Sequence, residues 1–274
     1  MSIISRQPLP NGRGADGRSE CVDQSGDRKG AVALPPFDRV AARYDELWTT
    51  SAIGRAQRNL VWRDMDPLFQ SGMRILDVGC GTGEDAVHFA ARGVAVYATD
   101  PSPAMIQAAR ARGGFSAEVC GAEDLAKIGE TFDGAISNFG ALNCVEDLPA
   151  VAGALSALVR PGGRVAICLF GRFCAWETLY YTVRWQFGKA FRRRNNVSYQ
   201  GIMVHYPAAS DVRSAFAYDF DLRRWTGIGL FVPPSYVKMP PALVRGFAAC
   251  DRIFARLPLL RGMADHRLFL LVRK

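Results

Sequence analysis

Arg74-Ile75-Leu76-Asp77-Val78-Gly79-Cys80-Gly81-Thr82-Gly83-Glu84-Asp85 passes from a short apolar strand through three alternating glycines into a helical pattern. With no side chain at 79, 81 and 83, the backbone can turn sharply out of the strand, bring N–H groups close to a ligand and seat the next helix tightly. A loop of this kind holds a nucleotide-like ligand at the carboxyl end of its strand. The spacing narrows the ligand. A G-x-G-x-x-G fingerprint counted from Gly79 and Gly81 puts its third glycine at position 84, where this chain has Glu84. An anion at the head of the helix opposes a pyrophosphate and tolerates a cationic or zwitterionic ligand better. The loop also lacks the Lys-Ser/Thr ending of a phosphate-binding P-loop. Further on, Val94-Ala95-Val96-Tyr97-Ala98-Thr99 ends in Asp100, placed to accept hydrogen bonds from two vicinal ribose hydroxyls. Adenosine without phosphates satisfies all of these constraints.

Working outward, strands near 74–78, 94–99, 116–120, 132–138 and 164–170 alternate with helical patterns near 84–92, 102–112, 122–128 and 148–159. That alternation predicts an α/β fold with a parallel, doubly wound sheet, whose ligand crevice opens where the glycine loop, Asp100 and Asn138 converge. Two helical patterns, Phe37 to Trp48 and Ala52 to Phe69, precede the sheet as a lid and a brace. Residues 1–34 are rich in Gly, Ser, Asp and Arg and read as a disordered tail, leaving one domain over 35–274 with lid helices at 36–70. A basic, aromatic-rich insertion follows the fifth strand at about 171–215 and is expected to cap a substrate pocket. A further helix is expected from about Pro241 to Leu257.

At 274 residues with 49% hydrophobic content, the chain can bury one substantial core. No apolar run reaches the length of a membrane span, and the first residues lack a secretory hydrophobic core, so the expected location is cytoplasmic. The seven cysteines include no C-x-x-C pair, so neither zinc nor any other metal is expected and most read as small core residues. Charge is uneven. Residues from 171 onward hold 17 Lys plus Arg against 6 Asp plus Glu, a net +11, whereas the first 170 carry a net −3. The acidic half suits a cationic ligand; the basic half suits a solvated face, an acidic partner or an anionic membrane surface.

At Asp77-Val78-Gly79-Cys80-Gly81-Thr82-Gly83 the chain resembles the class I S-adenosylmethionine-dependent methyltransferases, especially those acting on small molecules. The resemblance covers roughly residues 36 to 170. It implies a seven-stranded, Rossmann-like sheet, completed by strands at about 219–230 and 266–273, and S-adenosylmethionine as cofactor. It carries the glycine loop and Asp77 over to the methionine part, with Cys80 contributing backbone only. Asp100 and Pro101 correspond to the ribose-binding turn, and Met105 to a side chain packed on adenine. Phe132 to Asn138 resembles the fourth strand, with Asn138 and Phe139 at the methyl-transfer site, and Tyr44 corresponds to a lid residue closing over the cofactor. One departure stands out: where the family commonly reads Gly-Asp-Ala-Glu-Asp-Leu, this chain has Cys120-Gly121-Ala122-Glu123-Asp124-Leu125. The usual adenine-binding carboxylate is missing at Gly121, leaving Glu123 beside Ala122, or a backbone carbonyl, to accept the adenine amino group.

The family tetrapeptide Asn/Asp-Pro-Pro-Tyr/Phe, which marks amino-group methylation of bases and glutamine, is replaced by Ser137-Asn138-Phe139-Gly140. Together with the aromatic insertion this favours a small apolar or aromatic acceptor, with oxygen methylation ahead of carbon methylation of a quinone or polyketide ring. Trp48, Tyr180, Tyr181 and Tyr206 are the candidate substrate contacts, although the aromatic stripe at Trp176, Tyr180, Tyr181 and Trp185 follows helical spacing, which also suits a core. His205 is the candidate general base, since a hydroxyl acceptor must lose a proton. An RNA acceptor, suggested by Lys189 and Arg192 to Arg194, lacks any accompanying RNA-binding module, so no nucleic acid is expected. A non-catalytic cofactor-binding or membrane-peripheral protein, using helices around residues 180–191 and 244–260, is the third alternative.

Overall fold

Along each central strand, successive side chains feed opposite faces of one sheet. Ile75, Val96, Ile136, Ala166, Cys168, Leu268 and Leu270 join one buried cluster, while Leu76, Ala135, Val165, Ile167, Phe269 and Leu271 join the other. Period-two alternation with both faces apolar is what a sheet covered by helices on each side requires. The computed structural model describes residues 37–38, 41–199 and 201–274; the expected tail over 1–34 lies outside them.

The chain runs α1 (Ala41–Tyr44), a π-helical turn at Asp45–Thr49, α2 (Ala52–Met65), β1 (Arg74–Val78), α3 (Glu84–Ala90), β2 (Ala95–Asp100), α4 (Pro103–Arg112) and β3 (Ser116–Val119). A 3-10 turn at Ala122–Lys127 leads to β4 (Phe132–Ser137), and a second at Ala141–Cys144 to α5 (Leu148–Leu158) and β5 (Val159–Phe170). Then come α6 (Ala175–Thr182), α7 (Phe187–Ala190), β6 (Val197–Tyr199), β7 (Ile202–Val204), α8 (Ala209–Phe216), β8 (Phe220–Ile228), α9 (Pro241–Phe254) and β9 (His266–Arg273). Seven strands form one sheet in the order β3-β2-β1-β4-β5-β9-β8, in which β9 is antiparallel to both neighbours; β6 and β7 make a separate hairpin. The order reverses between β1 and β4, so the crevice expected at their carboxyl ends is present.

Helix starts follow local chemistry. Ser102 accepts the Met105 N–H at 3.1 Å with Pro103 in the first turn, and Asp147 accepts the Ala150 N–H at 2.9 Å ahead of Pro149.

Several boundaries differ from the sequence reading. Among the described residues of the expected 37–48 helix, those from Ala41 onward form one α-turn running into a π-turn, and 122–127 is a 3-10 element. β5 begins at Val159, which pairs with Phe132; Pro161-Gly162-Gly163 is accommodated as an irregularity before Gly134 meets Arg164. The insertion ends in a hairpin and α8, neither of which the sequence pattern announced.

Candidate active site

The glycine loop leaves β1 with Gly79, Gly81 and Gly83 at φ of 72°, 54° and 83°. A methyl at Gly79 would stand 2.2 Å from Ala141 Cβ, and one at Gly83 2.7 Å from the Phe115 ring, so these two glycines permit close packing. At Gly81 a Cβ would meet only Tyr44, at 4.0 Å. The loop N–H groups are directed inward. Gly79 and Cys80 both donate to Thr99 O, at 2.7 and 2.9 Å, and Gly81 donates to Asp100 Oδ2 at 2.9 Å. The loop's contribution to a ligand is therefore the space left by missing side chains, which corrects the expectation of N–H donors aimed at it.

A cavity of about 280 Å³ opens over this loop. Tyr44, Gly79, Gly81, Asp100, Pro101, Met105, Ala122, Glu123, Asn138 and Phe139 all line it, as the sequence reading grouped them. Phe37 and Val78 join them on one side. On the other side Gly140, Ala141, Leu142, Cys144 and Val145, with Ile202 from the β6–β7 hairpin, make an apolar wall. Asp77, Cys80 and Gly83 belong to the loop but not to the cavity lining.

Asp100 is nearly buried and accepts from Ser102 N at 2.9 Å as well as from Gly81 N. Burial lifts its carboxyl to about 6, against the lowering effect of those two donors. Each oxygen keeps acceptor capacity beyond the single N–H it receives. Glu123 folds back so that Oε2 sits 3.0 Å from where a side chain at Gly121 would begin. It thus reaches the space beside the position where the family's aspartate is missing.

Beneath the loop lies a buried polar cluster that sequence reasoning missed. Arg58 Nη1 meets Asp85 Oδ2 at 2.6 Å, and Trp62 Nε1 and Asn138 Nδ2 also donate to Asp85, at 2.6 and 3.1 Å. Arg58 lies over the Trp48 and Phe139 rings at 4.6 and 4.8 Å. Asp77 is held well above the ordinary carboxylate range, first by burial and then by repulsion from Asp85, and its Oδ2 has no hydrogen-bond partner among the described residues. The available signal was the pattern Arg58-x-x-x-Trp62 on α2, one helical turn apart, opposite an acid in the first turn of α3.

Phe139 carries positive φ, 54°, ahead of Gly140 at 91°. A bulky residue in that region is strained, and it is held there by Trp48 at 4.4 Å and by His266 edge-on at 5.4 Å between ring centroids. Tyr44 closes over the loop, and burial raises its phenol to about 12.

The remaining candidates stand elsewhere. His205 lines a second cavity with Tyr206, Arg172 and Asp211, which shares only Val145 with the first; its N–H and carbonyl are bonded to Asn143. This position corrects the expectation that the insertion brings His205 to the reacting centre. Trp48 is buried behind Phe139. Tyr180 and Tyr181 pack on each other and on Tyr236, 5.2 to 5.6 Å between centroids, as an aromatic core for the insertion. Tyr180 and Tyr181 follow the core reading of that stripe, whereas Trp185 at its end is exposed.

Comparison with known proteins agrees with the fold. A family model described as a methyltransferase domain matches residues 54–217. A demethylmenaquinone methyltransferase of Clavibacter sepedonicus is 36% identical over 140 residues, covering 49% of this chain and 56% of its own length. A ubiquinone/menaquinone biosynthesis C-methyltransferase of Geotalea daltonii is 29% identical over 167 residues, covering 56% and 70%. The chain thus spans little more than half of the first of these relatives. Among solved structures, an S-adenosylmethionine-dependent methyltransferase of Thermotoga maritima, a possible histamine N-methyltransferase, aligns with a TM-score of 0.57 at 14% identity over 87% of this chain and 98% of that one. One from Mesorhizobium loti aligns at 0.51 and 21%, over 82% and 99%, and both share the fold.

Proposed function

The chain belongs to the class I S-adenosylmethionine-dependent methyltransferases, and from that premise we propose that it methylates a ring carbon of a small, apolar, quinol-like acceptor. S-adenosylmethionine is its cofactor, and the residues present fit that molecule. Asp100 keeps free acceptor sites for the ribose hydroxyls. Glu123, bent over Gly121, supplies the carboxylate that the adenine amino group lacks elsewhere. Gly81 leaves room where any larger residue would enter the cavity. Asp100 and Glu123 are the acidic side chains lining the cavity, with no basic side chain beside them among the described residues, which suits a positive ligand.

When bound, that cofactor supplies an electrophilic methyl group. What the protein adds is alignment and exclusion of water. Asn138 is locked by its bond to Asp85, Phe139 is locked by strain and stacking, and Tyr44 covers the loop.

The observation that carries the acceptor assignment is the wall from Phe139 to Val145 with Ile202: it contains no charged side chain. Its one titratable group, Cys144, is pushed up to about 11 by burial and stays a thiol at neutral pH. An acceptor there must bring its own activation, as an electron-rich dihydroxy ring does at the carbon beside its oxygens. Carbon is preferred here over the oxygen favoured on sequence grounds for that reason, and because the relatives above are named a demethylmenaquinone methyltransferase and a ubiquinone/menaquinone biosynthesis C-methyltransferase.

The test is to incubate the protein with S-adenosylmethionine and either a reduced demethylnaphthoquinone or a catechol, and to locate the new methyl group by nuclear magnetic resonance. A ring-carbon methyl on the first is expected. Methoxy product from the catechol alone would reject the assignment.

A further inference from the structure

We infer that the α6–α7 segment is a docking surface for an anionic lipid membrane. Residues 183 to 189 are all exposed and read Val183-Arg184-Trp185-Gln186-Phe187-Gly188-Lys189. Trp185 is 82% exposed, Val183 62%, Leu179 59% and Phe187 48%. Large apolar side chains gathered at the tip of one segment are uncommon on a surface that faces only water.

The backbone under Trp185 sharpens the point. Gln186 N donates to Tyr181 O at 2.9 Å, closing the last turn of α6, and Trp185 sits in that closure at φ 57°. This is the left-handed position that glycine ordinarily fills at a helix end. Here the chain accepts backbone strain to project an indole into solvent, where its ring meets that of Phe187, 5.9 Å between centroids.

The charge is one-sided. No Asp or Glu occurs between Glu177 and Asp211, a stretch holding Arg184, Lys189 and Arg192 to Arg194. Glu177 is buried and consumed by Arg192 and Arg193, at 2.6 and 3.0 Å. Arg184, Lys189 and Arg194 lie over Tyr180, Tyr181 and Phe191 instead, and none has a carboxylate partner among the described residues. Exposed Trp, Phe and aliphatic side chains interleaved with unpaired Arg and Lys are the chemistry of an interfacial element, apolar groups entering the headgroup boundary and cations meeting lipid phosphates. Among the described residues no helix is long and apolar enough to cross a membrane. The surface leads directly into the hairpin that supplies Ile202 to the cavity wall. An apolar acceptor dissolved in the bilayer would be collected beside the pocket. That benefit rests on the acceptor reading, whereas the docking itself does not.

The full chain should be co-sedimented with vesicles of phosphatidylcholine alone and of phosphatidylcholine with phosphatidylglycerol, without any acceptor. At least tenfold tighter binding to the anionic vesicles is expected, weakening with added salt. Charge reversal in R184E/K189E should lower it by about tenfold or more, and W185S/F187S should lower it as well, both with S-adenosylhomocysteine binding intact by calorimetry. Absence of pelleting with either vesicle, or equal pelleting of wild type and variants, overturns the inference. So does a change in the sedimentation mass of the free variants in place of lost pelleting, which would mark the patch as a protein–protein face. Should vesicle binding hold while no ring is methylated, the acceptor reading fails and the docking surface stands.

Discussion

Asp45 Oδ1 lies 2.7 Å from Thr82 Oγ1, so one hydrogen bond joins the N-terminal lid to the glycine loop. The other Asp45 oxygen meets Arg112 at 2.5 Å, and Arg112 continues to Glu84 at 2.6 Å. Lid, loop, α3 and α4 are thereby clasped around one end of the cavity. Thr82→Val keeps the shape and removes the hydroxyl. It is expected to weaken S-adenosylhomocysteine binding about fivefold, about 1 kcal/mol, because lid closure loses its bond to the loop. Calorimetric affinities equal to wild type would show that the clasp does not control closure.

Asp100 gives a pH dependence with a definite sign. Its folded value, about 6, lies above the ordinary carboxylate value of 3.8, so folding favours the protonated form. That contribution to stability is complete below the unfolded value and is lost as pH rises through about 6. A ligand whose hydroxyls donate to Asp100 favours the ionised form and offsets the loss. The rise in Tm caused by S-adenosylhomocysteine is therefore expected to be larger at pH 8 than at pH 5. In Asp100→Asn the rise should be small and equal at both values.

Asp85 holds Arg58, Trp62 and Asn138 at once, and both charged side chains are buried. Asp85→Ala leaves the guanidinium unpaired and is expected to cost about 3–5 kcal/mol in urea unfolding. The double change Arg58→Met with Asp85→Leu should cost clearly less, since no charge is then stranded. Equal losses in the two proteins would mean that packing, not charge, dominates this cluster.

Two glycines at similar φ separate strain from crowding. Gly72, at 85°, has nothing near its would-be side chain, whereas Gly79, at 72°, faces Ala141 at 2.2 Å. Gly72→Ala is expected to cost about 1 kcal/mol of stability and to leave cofactor binding unchanged. Gly79→Ala should cost more than that and weaken S-adenosylhomocysteine binding, because the cavity wall at Ala141 must retreat. Thermal melts with and without ligand distinguish the two.

What the sequence disclosed tracks the range of the interactions involved. The strand into Gly79-Cys80-Gly81-Thr82-Gly83 and the acid ending β2 are local signals, readable because turn geometry and strand alternation depend on neighbours in the chain. Arg58 and Asp85 were missed as a pair because Arg58-x-x-x-Trp62 shows one helical face but not its partner, which only the packing of the chain supplies. The β6–β7 hairpin escaped because three-residue strands show no alternation to count. His205 was misplaced for a related reason. The insertion turns back through that hairpin, presenting Ile202 to the cavity and leaving His205 bonded to Asn143 in the next one. Tyr180 and Tyr181 show the opposite case, where the spacing was read correctly and the plainer use of it, a small aromatic core, is the one built.

The strained backbone at Phe139, followed by Gly140 against the Phe170 ring, sets how this enzyme could be redesigned. That corner of the cavity is wedged between Trp48, Arg58 and His266 and has no slack to give. Breadth of scope is expected from the opposite rim: trimming Leu142 or Ile202 would widen the cavity and leave Asn138 in place, whereas carving at Phe139 would loosen the corner it shares with Trp48 and His266.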